Sequence, residues 1–433
     1  MQPTDDAVHH PDAAARSDLG SVTGTSGQLE DTHSSARNAQ ADAGAGGARI
    51  GVIALVPDRW RGIWMPRHQV LHRLGRHFDV VWIEAARPWR DYWGLGPRRT
   101  EEVIQDVAPA YAGCTIYDSG RWLPEVYRPR WLRDLIRRAR IKVALRILRS
   151  KGCSQIVLYL WRPEFAWAVD AIRADLTCYH IDDEYAFSTE ERQNDPHEVA
   201  LIRRVDAVFI HSRRLLRKKG DFNRNTLHVP NGVDYRAYSA ATAEPEDLAA
   251  IPRPRMGYVG VVKSQLDFQL LCELAERRPE WSFVMVGPRG FLGDKADQLE
   301  RLSKLPNVYL LGNRHIRTLP AYVQAMDVCM MCYELTDYTN FIYPLKLHEY
   351  LAGGRPVVAT PIDTVIPFGD VVRLATTTEE WERALSESLA PQANTMAAIQ
   401  QRRERAAAHD WDLLVGQIAA HLRSGLETTL RSR

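Results

Sequence analysis

The sequence predicts an α/β protein with two doubly wound domains, and three observations point there. From Ala48 onward, apolar runs of strand length alternate with segments of helical spacing, the order that parallel sheets covered by helices require. The alternation comes in two series, separated by a proline-bearing acidic stretch at 240–254. Late in the second series, Tyr343 to Ile362 (YPLKLHEYLAGGRPVVATPI) reads as a short helix, a glycine stop and a buried strand in immediate succession. A chain of 433 residues with 45% hydrophobic content has room for two cores of ordinary size and a tail.

The tail comes first. Residues 1–47 are rich in Asp, Ala, Ser and Gly, lack aromatic side chains and contain no apolar run, so burial cannot offset the entropy of ordering them, and disorder is expected. Their seven acidic residues against Arg16 and Arg37 give a net of −5, which leaves +7 on the body of the chain within a formal total of +2. The first domain, 48–239, has strand-like runs at 49–56, 79–84, 114–118, 155–161, 176–182, 206–211 and 226–230, with helical segments such as Met65 to His77 and Trp131 to Arg149 between them. After the linker at 240–254, the second domain, 255–393, opens on Arg255-Met-Gly-Tyr-Val-Gly260 and continues at 282–287, 308–312, 327–333 and 357–360. Residues 394–433 are helix-rich and punctuated by Asp410-Trp411.

Composition narrows the class. No positively charged start leads into an apolar core, and no run of about 18 apolar residues occurs, so neither export nor a membrane span is expected and a cytoplasmic location follows by default. The six cysteines, at 114, 153, 178, 272, 329 and 332, do not make a disulfide framework. Cys329 and Cys332 have CxxC spacing, but they sit in the apolar run Val328 to Tyr333 without a second such pair, so they read as buried strand residues and no metal is expected. No helix-turn-helix, RRM or KH pattern accompanies the basic charge, so nucleic acid is not an expected partner.

Within Tyr343 to Ile362 the chemistry sits on the helix. Pro344 suits the first helical position, and Gly353-Gly354 supplies the left-handed residue that ends it. Lys346 and Glu349 share a face while Leu347, Tyr350 and Leu351 can pack inward. Backbone N–H groups and Lys346 suit phosphate, and Glu349 suits ribose hydroxyls; an ordinary surface i,i+3 pair is the alternative. The stretch resembles the PLKxxEYLAxGxPVVAT signature of GT-B glycosyltransferases of the family 4 type, which includes bacterial surface-polysaccharide enzymes, with teichuronic-acid-type transferases the nearest likeness. The resemblance implies two Rossmann-like domains facing across a cleft, transfer from a nucleotide-sugar with retention, no essential metal and no cofactor. It also implies a lipid-linked or polysaccharide acceptor and C-terminal helices that cross back onto the first domain. Glu349 matches the second Glu of the family's E-x7-E motif, whereas Phe341 stands at the first, so the donor sugar is unassigned.

The same resemblance extends to weaker positions. Gly260 lies where backbone must approach the ligand, and Lys263 in the following loop is the basic side chain directed at the phosphates. In Cys178-Tyr-His-Ile-Asp-Asp-Glu184, His180 takes the place of a family histidine at the donor sugar, and Asp182 or Asp183 orients it or meets the acceptor hydroxyl; His180 and Asp183 are the catalytic pair expected, with a metal on the three carboxylates the lesser reading. The loop Pro57 to His68 offers Arg61, Gly62 and Arg67 to an anionic acceptor or the sugar, beside two Trp residues, with packing into the core as the alternative. Asn231-Gly232 resembles the family's interdomain turn. Arg128 to Lys151 holds ten Lys and Arg against one Asp, with Leu132, Ile136, Ala139, Val143 and Ile147 on one helical face, and suits peripheral contact with the inner face of a membrane as well as packing on the sheet. A sugar-nucleotide 2-epimerase on the same fold and a non-catalytic glycan-assembly subunit are the rival readings.

Overall fold

Two parallel sheets organise the residues that this computed structural model describes, 48–94, 113–185 and 194–432. The acidic tail at 1–47 lies outside them. The first sheet holds β1 (Ile50–Leu55), β2 (Asp79–Ile83), β3 (Cys114–Tyr117), β4 (Gln155–Leu160), β5 (Leu176–Ile181), β6 (Ala207–Ile210) and β7 (Thr226–His228), in the order β3-β2-β1-β4-β5-β6-β7. The second holds β8 (Arg255–Val259), β9 (Ser282–Val286), β10 (Val308–Gly312), β11 (Val328–Met331), β12 (Val357–Ala359) and β13 (Val372–Leu374), in the order β10-β9-β8-β11-β12-β13. This is the two-domain α/β architecture that the sequence predicts. Each apolar run became a strand; β13 alone had no counterpart, because two of its three side chains are exposed at the sheet edge and leave no apolar signal.

Both faces of the first sheet are buried, which is why its strands read as continuous apolar runs. Val52 and Ala54 of β1 face one core, and Ile53 and Leu55 the other. The first core is closed by α1 (Pro66–Leu74), through Val70, Leu71 and Leu74, and the second by α2 (Arg130–Ser150). On α2 the sequence-predicted face is corrected: Ile141, Ala144 and Leu148 lie fully on the sheet, while Leu132, Ile136, Ala139, Val143 and Ile147 are half-buried on the adjoining flank. The helix carries two neighbouring apolar stripes, and only the sheet's position selects between them.

α3 (Leu345–Ala352) belongs to the second sheet, whereas α4 (Trp411–Ser432) follows that sheet in sequence and packs on the first. Trp411, Leu414, Val415, Ile418, Ala419, Leu422 and Leu426, at helical spacing, are all buried there, and each large apolar side chain contributes roughly 1.5–3 kcal/mol of transfer free energy. Polar contacts fix its start. Arg73 of α1 bonds Asp412 and Asp234 at 2.9 Å each, and Val233 exchanges backbone hydrogen bonds of 3.0 Å with His409 and Trp411. A Cβ at Gly232 would stand 2.4 Å from the His409 carbonyl oxygen, so the Asn-Gly turn needs its glycine for this crossing. From Ala48 onward the chain is one compact unit.

Candidate active-site cleft

Strand order reverses between β1 and β4 in the first sheet and between β8 and β11 in the second, and ligands of such sheets bind beyond the strand ends at these points. The loops after β1, β5, β8 and β11 meet there around a cavity of about 270 Å³. Trp64, Asp182, Asp183, His211 and Asn231 line it from one side, and Gly260, Lys263, Gly287, Tyr338, Lys346 and Glu349 from the other.

The placement of α3 is over-determined. Pro344 is its N-cap, so the helix begins one residue later than predicted, and the left-handed residue past its end is Gly354, with φ 73°. The Tyr350 hydroxyl sits between the Val259 N–H (2.8 Å) and its carbonyl oxygen (3.2 Å), pinning the helix to the end of β8. The Asn231 side-chain amide donates to the Tyr343 carbonyl at 2.7 Å, so the turn from the first half also positions the helix start.

Lys346 points from α3 along the cleft floor, its Nζ 4.9 Å from the ring centre of Tyr258 and 5.9 Å from that of Tyr333. A Cβ on Gly260 would stand 2.4 Å from Lys346 Cε and 2.5 Å from Nζ, and the glycine has φ +151°; both its conformation and its space exclude a side chain. Burial lowers the Lys346 pKa, with Glu349 opposing the shift. Burial and then the Lys346 charge lower that of Lys263, with Asp183 opposing. Glu349 is pushed up by burial, held back by Lys346 and the Tyr238 hydroxyl. Asp183 is likewise pushed up, by burial and then by Asp182, although the Glu184 N–H donates to it at 2.8 Å and the Tyr338 hydroxyl lies 3.3 Å away. The cleft therefore brings together five of the sequence-predicted residues: Asp183, Gly260, Lys263, Lys346 and Glu349. Its two lysines are held together at a cost in burial and mutual repulsion that an anionic ligand would relieve.

Four other predicted residues are placed elsewhere. His180 stacks on Trp161 with ring centres 4.0 Å apart and shares a 2.9 Å hydrogen bond through Nδ1 with Tyr159, behind the cleft wall and within the aromatic side of the first core. It lies inside β5, so its direction is set by strand alternation. Arg67 is buried between Asp58 and Asp182 (2.5 Å), its pKa lowered by burial but raised further by the two carboxylates, and is thus committed to an internal link. Arg61 is exposed. Gly62 closes a turn on the Arg59 carbonyl at 3.1 Å. Asp182, Asp183 and Glu184 also diverge: to Arg67 and Tyr185, to Tyr338, and to Lys218 (3.1 Å) and Lys219 (3.0 Å). Among the described residues no three His, Cys, Asp or Glu side chains are grouped as a metal ion would need.

His211 and Tyr338 are among the cleft residues that escaped the sequence reading. His211 stands one position beyond β6, its Nδ1 3.2 Å from the Ile181 carbonyl, and burial lowers its pKa to about 4, against the opposing effect of Asp182. Donation from Nδ1 to that carbonyl leaves Nε2 of a neutral imidazole as an acceptor. Tyr338 could have been found only by knowing that the loop before α3 reaches Asp183. Phe341, where the resemblance places a carboxylate, is buried in the core of the first half with Arg214 and Lys218 over its ring at 4.6 and 5.2 Å. Its position serves packing between the halves.

Residues 253–390, spanning the second sheet and α3, match the family described as Glycosyl transferases group 1. Similar solved structures include E. coli trehalose-6-phosphate bound with UDP-2-fluoro glucose (TM-score 0.60, 14% identity, 86% of this chain and 98% of that one). Another is the α,α-trehalose 6-phosphate synthase of Burkholderia multivorans (TM-score 0.59, 14% identity, 89% and 98%). The fold is GT-B. The chain is also 36% identical over 169 residues to TuaH of Bacillus subtilis (strain 168), a candidate teichuronic acid biosynthesis glycosyltransferase. That alignment takes in 38% of this chain and 42% of the length of TuaH.

Proposed function

We propose that the chain is a hexosyltransferase-type glycosyltransferase, moving a sugar from a nucleotide-sugar to a glycan acceptor in surface-polysaccharide assembly. The observation that carries this reading is that Lys263, Lys346, Glu349 and the glycine at 260 line one cleft, with Lys346 running across the space that the glycine leaves. The lysines and the N-terminus of α3 take the diphosphate, Glu349 accepts from the ribose hydroxyls, and Gly260 lets the phosphates approach the backbone. The likeness to UDP-forming trehalose-phosphate synthases makes UDP-sugars the first donors to test. As the bond from the anomeric carbon to the diphosphate breaks, the lysines stabilise the departing charge, and the acceptor hydroxyl bonds to the same face of that carbon, giving retention without a metal. Asp183, expected at the acceptor hydroxyl, or Nε2 of His211 takes the hydroxyl proton, and His180, stacked on Trp161 in the core, has no part in the step. The acceptor is lipid-linked or polymeric.

The test is a thermal-shift panel of UDP-, GDP-, ADP- and dTDP-sugars. At about 100 times Kd a matching donor stabilises the protein by ~2.7 kcal/mol, and Glu349→Ala is expected to remove most of that shift while folding normally. No stabilisation by any nucleotide, or an unchanged shift in Glu349→Ala, would defeat the reading.

A further inference from the structure

We infer that the first half carries a second sugar site outside the cleft, a cavity of about 290 Å³ that holds an uncharged ring of the glycan acceptor away from its reacting end; the link to the acceptor rests on the function proposed above. The cavity lies at the ends of β1 and β2 on the α2 face of the first sheet. Leu55, Ile83 and Ile141, which belong to the core on that face, line it together with Ala85 and Ala86 after β2. Phe165 and Trp167, from the segment Pro163–Asp170 that follows β4, and the exposed Tyr127 add three aromatic rings. The cleft belongs to the other side, where its Trp64 packs against the core on the α1 face.

Two charged side chains that line this cavity each keep one polar atom unpaired. Arg140 of α2 is 7% exposed; its Nε donates to the Leu123 carbonyl and its Nη1 to the Glu125 carboxylate, each at 2.8 Å, and its Nη2 has no partner. Glu84 is 8% exposed; its Oε1 accepts from the Trp60 N–H at 3.0 Å, while Oε2, 3.9 Å from Arg59 Nε, accepts no hydrogen bond. Native structures rarely leave buried polar atoms in this state, so an open donor and an open acceptor at one cavity indicate what its occupant supplies. A ligand hydroxyl satisfies either atom.

Charge and polarity narrow the occupant further. The lining holds Glu84, Glu125 and Glu164 against Arg137 and Arg140, and both arginines already bind Glu125 at 2.8 Å, so a phosphate or carboxylate would meet an excess of negative charge. A purely apolar occupant would leave Nη2 and Oε2 unpaired. A neutral sugar meets both conditions, because its O–H groups donate and accept while its C–H faces pack on Tyr127, Phe165 and Trp167. Pro57 lines this cavity and Ile63 lines the cleft; the six residues from one to the other reach at most about 22 Å, so one oligosaccharide can occupy both.

Titration of the full-length protein with oligosaccharides, without nucleotide and followed by calorimetry and saturation-transfer NMR, tests the inference. The neutral probes are maltotetraose, cellotetraose, mannotetraose and chitotetraose, and the acidic probe is tetragalacturonic acid. At least one neutral probe is expected to bind, more tightly than the acidic one. Ala86→Trp, which fills the cavity from a half-buried loop position, should weaken that binding by about tenfold or more, and Glu84→Gln, which keeps the shape but replaces an acceptor, by about tenfold. Tyr127→Ala should weaken it several-fold, and because Tyr127 is 64% exposed its loss leaves the fold intact, as an unchanged melting temperature verifies. No binding by any neutral probe, tighter binding of the acidic probe, or wild-type binding by Tyr127→Ala and a folded Ala86→Trp would overturn the proposal. These titrations need no nucleotide, so their failure leaves the transferase reading standing, while failure of the donor panel beside intact oligosaccharide binding would leave the sugar site and remove its link to an acceptor.

Discussion

At the scale of single residues, the lysine pair of the cleft carries a pH signature. Lys263 and Lys346 lose their protons at lower pH than an ordinary lysine, because burial and, for Lys263, the neighbouring cation penalise the charged form. Their charging therefore opposes folding of the free protein, an effect fully present below their folded-state pKa values and absent above the ordinary lysine range. A bound diphosphate reverses the local field and raises both values. UDP binding should accordingly take up protons in alkaline buffer, and affinity should fall as pH rises, by up to about tenfold per pH unit for each proton taken up. Calorimetry in buffers of different ionisation heat measures the uptake, and Lys346→Arg should remove its share of the pH dependence; an affinity flat across the alkaline range would rule the lysines out as the diphosphate site. Lys346 and Glu349 were legible in the sequence because helix start, glycine stop and three-residue spacing are local facts. His180 and Arg67 were not, since the direction of an in-strand side chain and the reach of an arginine depend on Tyr159, Trp161, Asp58 and Asp182, which lie elsewhere in the chain.

At the scale of elements, the segment between β11 and α3 joins the two halves. Thr339–Phe341 sends the Phe341 ring into the core of the first half, while Tyr338 reaches Asp183 and Asn340 accepts from the Asp363 N–H at 3.2 Å. Truncating this fully buried ring should cost about 3–5 kcal/mol in Phe341→Ala, whereas Phe341→Leu, which keeps most of the volume, should cost less than about 1.5 kcal/mol. Denaturant unfolding of both variants reads the difference, and a loss under about 1 kcal/mol in Phe341→Ala would show that the core collapses around the gap. Element positions were the most legible part of the fold, because strands buried on both faces need apolar side chains throughout and announce themselves. The face of α2 was not legible: two apolar stripes compete, and the choice belongs to the sheet.

At the scale of the whole molecule, the cores of the two halves are completed by residues from outside their own sheets. α4 comes after the second sheet and fills the core on the α1 face of the first sheet with seven apolar side chains; Phe341, from the loop before α3, is buried in the core on its α2 face; Val233 and Tyr238, which follow the first sheet, are buried in the core of the second sheet. Ion pairs cross as well, from Arg217 to Asp363 at 3.2 Å. Two-domain chains often unfold in separate steps, because an interface between domains is usually small and polar. Here separation would strip the apolar face of α4 from α1 and the first sheet and empty the Phe341 site, so neither half keeps a closed core alone. Differential scanning calorimetry should therefore show one transition for the residues from Ala48 onward, and UDP should move that transition as a whole although the proposed nucleotide contacts are concentrated on the second sheet and α3. Two resolved transitions, with only one responding to UDP, would mean that the packing of α4 on the first sheet does not couple the halves.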